Sequence, residues 1–408
     1  MQGMIGSVER QLVLGLGGTV DYEIRWDSSV VERLAREFSI QRDELSASIP
    51  IRAERDLVVV ILAFMSSGTG GERFVESSEI VESFAARFET AVTLGGTGVR
   101  AGIALDSLGI ASVQHLVSID DTVRRLLPAS TRYVSSATED TLDPHLIVQY
   151  PAGARVSLAG GEVVAEHPNR LIFANDPPNR EMRLSDELAD ELATARAFLV
   201  SGFNTMQFER LLESRLSTLE SAMSRLPDDA LVYYEEAGFY EPSFSDRVRD
   251  RLLRRIDVLG MNEDELQERI GRTVDLLDPV DVVAALRECH ALIPARALVV
   301  HTSLWAAAIG PEGSRHRRSL ESAVQMAATR YRLGDGHTAA DFAATAALPR
   351  HHRGAVVADH IESSIPGSVA VPAFDLRPDS PTTIGLGDSF VGGFLAGLPD
   401  DSARESAS

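Results

Sequence analysis

Apolar and polar positions along the chain fall into two alternating patterns. From residue 195 onward, short apolar runs at 197–201, 230–234, 258–259, 297–302, 355–357 and 369–374 read as buried strands. Between them, stretches at 205–221, 245–253, 264–270, 281–289 and 319–333 carry apolar residues at helical spacing. Phe390, Val391, Phe394 and Leu395 continue that spacing in a last helix. Regular strand–helix alternation predicts a mostly parallel sheet with helices on both faces. The first half adds a strand at 11–16, a helix at 30–38, a strand at 57–64 and a helix at 77–88. A glycine-opened helix ending at Leu108-Gly109 leads into a strand at 110–117. Residues 145–150, 154–158, 162–164 and 170–173 break the alternation as four short strands with glycine turns, which predicts a small sheet inserted into the main fold. The glycine-rich 66–71 reads as a surface connection, and the polar 400–408 as a disordered tail.

Composition narrows the chemistry. The 408 residues are 44% apolar and carry a net charge of −21, which suits a soluble protein and argues against nucleic acid or an anionic membrane as partner. All 39 basic residues are arginine. Without lysine there is no Walker phosphate loop, no Schiff base and no pyridoxal phosphate site. Any phosphate charge must be met by arginine, metal or backbone N–H. Cys289 is the sole cysteine, so no internal disulfide forms and a cysteine-rich zinc site is excluded. With no signal pattern and no membrane-length apolar run, the expectation is a cytoplasmic protein.

The candidate chemistry lies where strands hand over to helices. Gly385-Leu386-Gly387-Asp388 joins the apolar run at 369–374 to the last helix. Glycines there let a ligand approach the amide N–H groups, and a helix N-terminus already attracts anions. A carboxylate at the mouth of such a site is unfavourable unless it has a task, and taking a proton from an attacking hydroxyl is the simplest one. The plainer reading is a tight loop with Asp388 as a cap. Asp21 follows the first strand and is either a turn residue or an acceptor for sugar hydroxyls. Gly95 and Gly96 open a helix in which Arg100, one turn in, faces either a substrate phosphate or solvent. Glu235 and Glu236 end one strand; Asn262 and Glu265 follow the next and fit a capping box. Capping does not explain the carboxylates on the neighbouring strand, and magnesium takes such hard oxygen ligands while keeping several waters.

Taken in order, these motifs resemble the ribokinase-like sugar kinases. Thr383-Ile384 and the Leu386 between the glycines are similar to the branch of ADP-dependent glucokinases and phosphofructokinases. The resemblance runs from about Leu12 to Leu398. It implies a ribokinase-like central sheet plus a smaller α/β lid. Residues 1–21, 88–140 and 184–408 would form the larger nucleotide-binding unit, and 22–87 with 141–183 the lid. The implied reaction moves a phosphoryl group from ADP to a hexose or hexose phosphate. Asp388 would act as base, with Gly385, Leu386 and Gly387 holding the developing charge. Asp21, Gly95, Gly96 and Arg180 would meet the sugar, and His301 and Thr302 the nucleotide. Glu235, Asn262 and Glu265 would organise Mg2+. Gly17, where the branch usually has asparagine, Thr97, often glutamine, and Tyr233, in place of histidine, are departures. An ATP-dependent kinase of a sugar, nucleoside or other alcohol and a non-catalytic sugar or nucleotide sensor remain open alternatives. The partners expected are small molecules only, and the lid suits either a monomer or a homodimer.

Overall fold

The computed structural model describes residues 10–378, 382 and 384–399; Thr383 and the tail at 400–408 lie outside the described residues. Nine strands form the principal sheet, in the order Val369–Pro372, Trp305–Ile309, Ala297–His301, Val258–Asn262, Leu231–Glu235, Ala195–Val200, Gln11–Leu14, Ser112–Leu116, Thr131–Ser135. All neighbours are parallel except Trp305–Ile309, which runs antiparallel to both its partners. Helices cover both faces, so most strand positions are buried on either side, which accounts for unbroken apolar runs rather than alternation. Parallel pairing gathers the carboxyl ends along one rim: Glu235 lies opposite Gly260, and Asn262 opposite His301.

A second sheet of five strands runs in the order Gly71–Phe74, Asn169–Ala174, His145–Tyr150, Thr19–Ile24, Thr90–Gly95. One face packs on helices Ser28–Glu37, Glu54–Ser67 and Ser78–Ala85 to form a separate core. The other face presents Glu72, His145 and Asp21 toward the principal sheet. The expected division after residue 21 falls inside Thr19–Ile24, and Thr90–Gly95, expected with the larger unit, pairs in this smaller sheet.

Three expectations are corrected. Residues 57–64 are not a strand but the centre of helix Glu54–Ser67, in which Leu57 through Met65 are all buried. A helix enclosed on every side loses its amphipathic stripe, and its β-branched residues then mimic a strand. Residues 355–357 lie in helix His352–Ser364, where Val357, Ala358 and Ile361 form the buried stripe. Arg155–Leu158 and Gly161–Val164 do not join the smaller sheet but pair with each other as a separate hairpin. Among the described residues, no helix is long and apolar enough to cross a membrane.

Candidate functional site

A cleft of ≈ 740 Å³ lies between the carboxyl rim of the principal sheet and the open face of the smaller one. Glycine sets its first corner. Gly385 is left-handed, at φ 67°, and starts helix Leu386–Ala396, so Gly387 and Asp388 occupy its first turn and line the cleft. The helix sits deep because Gly392 and Gly393 let it close on its neighbours. A Cβ on Gly392 would stand 2.7 Å from the Ala101 carbonyl, and one on Gly393 2.6 Å from Met326. Buried Arg330 donates from Nε to the Ile384 carbonyl at 2.8 Å and pairs with Asp335, which fixes the turn from behind. Burial, then the nearby Arg100, lowers the Arg330 pKa to about 10.

Asp21 reaches this corner from the smaller sheet and is 5% exposed. Its carboxylate accepts from Thr19 Oγ1 at 2.7 Å and from Arg100 Nη2 at 2.9 Å. Gly95 makes room for it, since a Cβ there would stand 2.4 Å from Asp21 Oδ2. Gly96, at φ 89°, begins the helix that carries Arg100 and lines the cleft. Arg100 thus does not face solvent but lines the cleft beside the turn at Gly385. It is 2% exposed, and its Nε lies 4.0 Å from Asp388 Oδ2.

Arg180 also lines the cleft, donating to Asn175 Oδ1 at 3.0 Å with its guanidinium 5.7 Å from the Phe74 ring centre. Its neighbour Asn179 accounts for Gly17. A Cβ on Gly17 would stand 2.2 Å from Asn179 Oδ1, so the amide fills the space above the glycine. Asn179 Nδ2 donates to the Gly18 carbonyl at 2.9 Å and to Asp176 at 2.7 Å. Asp176 in turn pairs with His145 at 2.9 Å. Burial pushes that imidazole down, but Asp176, Asp21 and Glu72 outweigh it and the pKa is raised.

The opposite corner is carboxylate-rich. Glu235 is 8% exposed and bonds through Oε1 to His301 Nε2 at 2.8 Å; its Oε2 makes no well-formed hydrogen bond among the described residues, and the buried Tyr233 hydroxyl lies against the same carboxylate. His301 stacks on Phe390, with ring centres 4.5 Å apart. Burial opposes protonation of His301, yet Glu235 and Glu265 raise its pKa. Asn262 and Glu265 do form the capping box. Asn262 Oδ1 accepts from the N–H groups of Asp264 and Glu265, and Glu265 Oε2 accepts from the Asn262 N–H. Burial and the charge of Glu235 push the Glu265 carboxyl up to about 8. No group of three or more His, Cys, Asp or Glu side chains among the described residues is arranged to hold a metal ion. The Glu235 Oε2 beside a second acidic side chain nevertheless suits a hard cation that brings most of its own ligands.

The cleft therefore brings together Asp21, Gly96, Arg180, Glu235, Asn262, Glu265, His301, Gly385, Leu386, Gly387 and Asp388. Gly95 stands behind Asp21, and Thr302 is outside the lining, its hydroxyl donating to the Trp305 carbonyl at 2.8 Å within a turn. Sequence reasoning missed Asn179, Arg330 and the pairing of Arg100 with Asp21. The contacts that bring them to the site are long-range: Asn179 to Gly18, Arg330 to Ile384 and Arg100 to Asp21.

A model of the ADP-specific phosphofructokinase/glucokinase conserved region matches residues 10–341, short of the turn at Gly385. A probable ADP-dependent glucokinase of Caenorhabditis elegans is 22% identical over 270 residues, covering 64% of this chain. The match spans about half of that relative's length (52%). A hypothetical ADP-dependent phosphofructokinase from Pyrococcus horikoshii superposes with a TM-score of 0.75 at 16% identity, over 95% of this chain and 97% of that one. An ADP-dependent kinase in complex with fructose 6-phosphate and ADPβS superposes with a TM-score of 0.69 at 14% identity, over 95% and 93%. The fold is thus the ribokinase-like α/β fold with a lid, and the chain belongs to the ADP-specific phosphofructokinase/glucokinase family.

Proposed function

We propose that this protein transfers the terminal phosphoryl group of ADP to a hydroxyl of a hexose or hexose phosphate, releasing AMP. The observation that carries this is Asp388 in the first turn of a helix whose N-terminus opens into the cleft, with Asp21 across Arg100 from it. A carboxylate so placed takes the hydroxyl proton, and the N–H groups from Gly385 to Gly387 hold the negative charge on the phosphoryl oxygens. Asp21 keeps lone pairs beyond those engaged by Thr19 and Arg100 and orients the sugar through them. The smaller sheet covers the site and excludes water that would otherwise take the phosphoryl group. Glu235 and Glu265 would hold Mg2+, with Asn262 fixing Glu265 by the cap; when bound, the ion neutralises phosphate charge.

A phosphorylated acceptor is favoured over a free sugar. Arg170 and Arg180 both line the cleft, from the smaller sheet and from the short helix Pro177–Glu181 after it, and neither has a carboxylate at ion-pair distance among the described residues. Purified protein with Mg2+, ADP and a panel of free and phosphorylated hexoses tests both points. AMP should form from ADP with a hexose phosphate, and Asp388→Asn should abolish this while nucleotide binding persists. ADP formed from ATP instead would overturn the donor, and retained turnover in the variant would remove Asp388 from its role.

A further inference from the structure

We infer that Arg100 is the counter-cation of the transfer step, a positioning residue whose charge Asp388 shares with Asp21 and Glu23 in the resting site and which becomes more available to the phosphoryl group when Asp388 takes the acceptor proton. The inference rests on the reading of Asp388 as base.

A guanidinium 2% exposed must be compensated, and this one is surrounded by carboxylates. Nη2 is 2.9 Å from Asp21 and 3.5 Å from Glu23, and Nε is 4.0 Å from Asp388. Nη1 is fully buried, with no hydrogen-bond partner among the described residues. The group packs directly on the anion-binding turn. A Cβ on Gly385 would stand 2.6 Å from Arg100 Cδ and 3.1 Å from Nη1, so the bare glycine is what admits the arginine. The chain has no lysine, so a protein cation at this turn has to be an arginine. Arg330, also near, is already paired with Asp335.

During transfer the acceptor O–H proton passes to Asp388. The acceptor oxygen bonds to phosphorus, and the bridging P–O bond breaks, its electron pair leaving with AMP. Negative charge thus moves off the carboxylate beside Arg100 and onto oxygens at the adjoining turn. The guanidinium loses one counter-ion as the other forms, with no rearrangement of heavy atoms. Fixed charge aimed at the place where charge develops is an effective form of electrostatic catalysis.

Binding of inorganic phosphate, measured by calorimetry, tests this without turnover. Asp388→Asn mimics the protonated base. It should tighten phosphate binding about tenfold when Arg100 is present and less than about twofold in an Arg100→Met background. Equal tightening in both backgrounds would mean that Asp388 simply repels phosphate, and would overturn the inference, as would undetectable phosphate binding by D388N. If Arg100→Met fails to fold with Asp21 left bare, the same cycle is run with Asp21→Asn present throughout. In turnover, Asp21→Asn/Arg100→Met should show kcat at least about tenfold below Asp21→Asn, with donor KM unchanged. Recovery to the Asp21→Asn level would show that Arg100 serves only to neutralise Asp21. A wild-type protein that binds phosphate through Arg100 yet phosphorylates no acceptor would refute the proposed reaction, and with it the transfer role of Arg100, and leave Arg100 as a phosphate-binding cation.

Discussion

At one end of the cleft Asp21, Glu23 and Asp388 gather round Arg100; at the other Glu235 and Glu265 have no arginine at ion-pair distance among the described residues. The first end carries its own cation, which its three carboxylates share. At the second, Arg269 reaches Glu236 at 3.8 Å, but Glu235 pairs with the His301 imidazole, and Glu265 is pushed up to about 8. A buried carboxylate cluster can take a proton, an arginine or a metal ion. The contrast fits a site where one end moves a proton between fixed groups and the other receives a cation with its nucleotide.

The largest effect separating the two ends should come from Asp388→Asn. We expect kcat to fall by about a thousandfold or more, with the Mg2+ concentration for half-maximal rate unchanged, as steady-state assays across a metal titration would show. A shifted metal dependence would mean that the two ends are not independent. Glu235→Gln should do the reverse, raising the Mg2+ requirement roughly ten- to a hundredfold while saturating metal restores most of kcat. A loss that no metal concentration repairs would place Glu235 in the transfer step itself. Next in size, Arg180→Met should raise KM for a hexose phosphate about tenfold and leave KM for the matching free sugar nearly unchanged. Equal change for both would deny Arg180 a phosphate contact.

The smallest effect concerns the sheet behind the site. His115 is fully buried in Ser112–Leu116, where Nε2 accepts from the Ser185 N–H at 2.9 Å. Burial lowers its pKa from 6.5 to about 4. The folded value lies below the unfolded one, so between them the unfolded chain binds more protons. Stability is therefore full above pH 6.5 and falls as the pH drops toward 4, by up to about 3 kcal/mol. His115→Gln keeps an acceptor for Ser185 and should flatten this slope in denaturant titrations at pH 7 and pH 4.5. An unchanged slope would assign the acid sensitivity to other groups.

The strand–helix alternation after residue 195 was legible because each strand buried on both faces leaves an unbroken apolar run and each covering helix keeps a stripe. It failed at 57–64 and 355–357, where burial or a short window erased the period that separates helix from strand. The turn at Gly385 and the Asn262–Glu265 cap were readable for a local reason, since glycine conformation and capping act over three or four residues. The smaller sheet was read only in part. Two of its strands, Thr19–Ile24 and Thr90–Gly95, find their partners across long stretches of chain.

From sequence came most strands and helices after residue 195, the absence of lysine chemistry and the residues able to take a proton or bind a hard cation. Tertiary structure alone decided which of them meet. It placed Arg100 between Asp21 and Asp388, 79 and 288 positions from it, and filled the space over Gly17 with Asn179. Local propensity acts through neighbouring residues, whereas a buried charge is defined by its surroundings in space. Arg100 could be read as solvent-facing until the fold enclosed it.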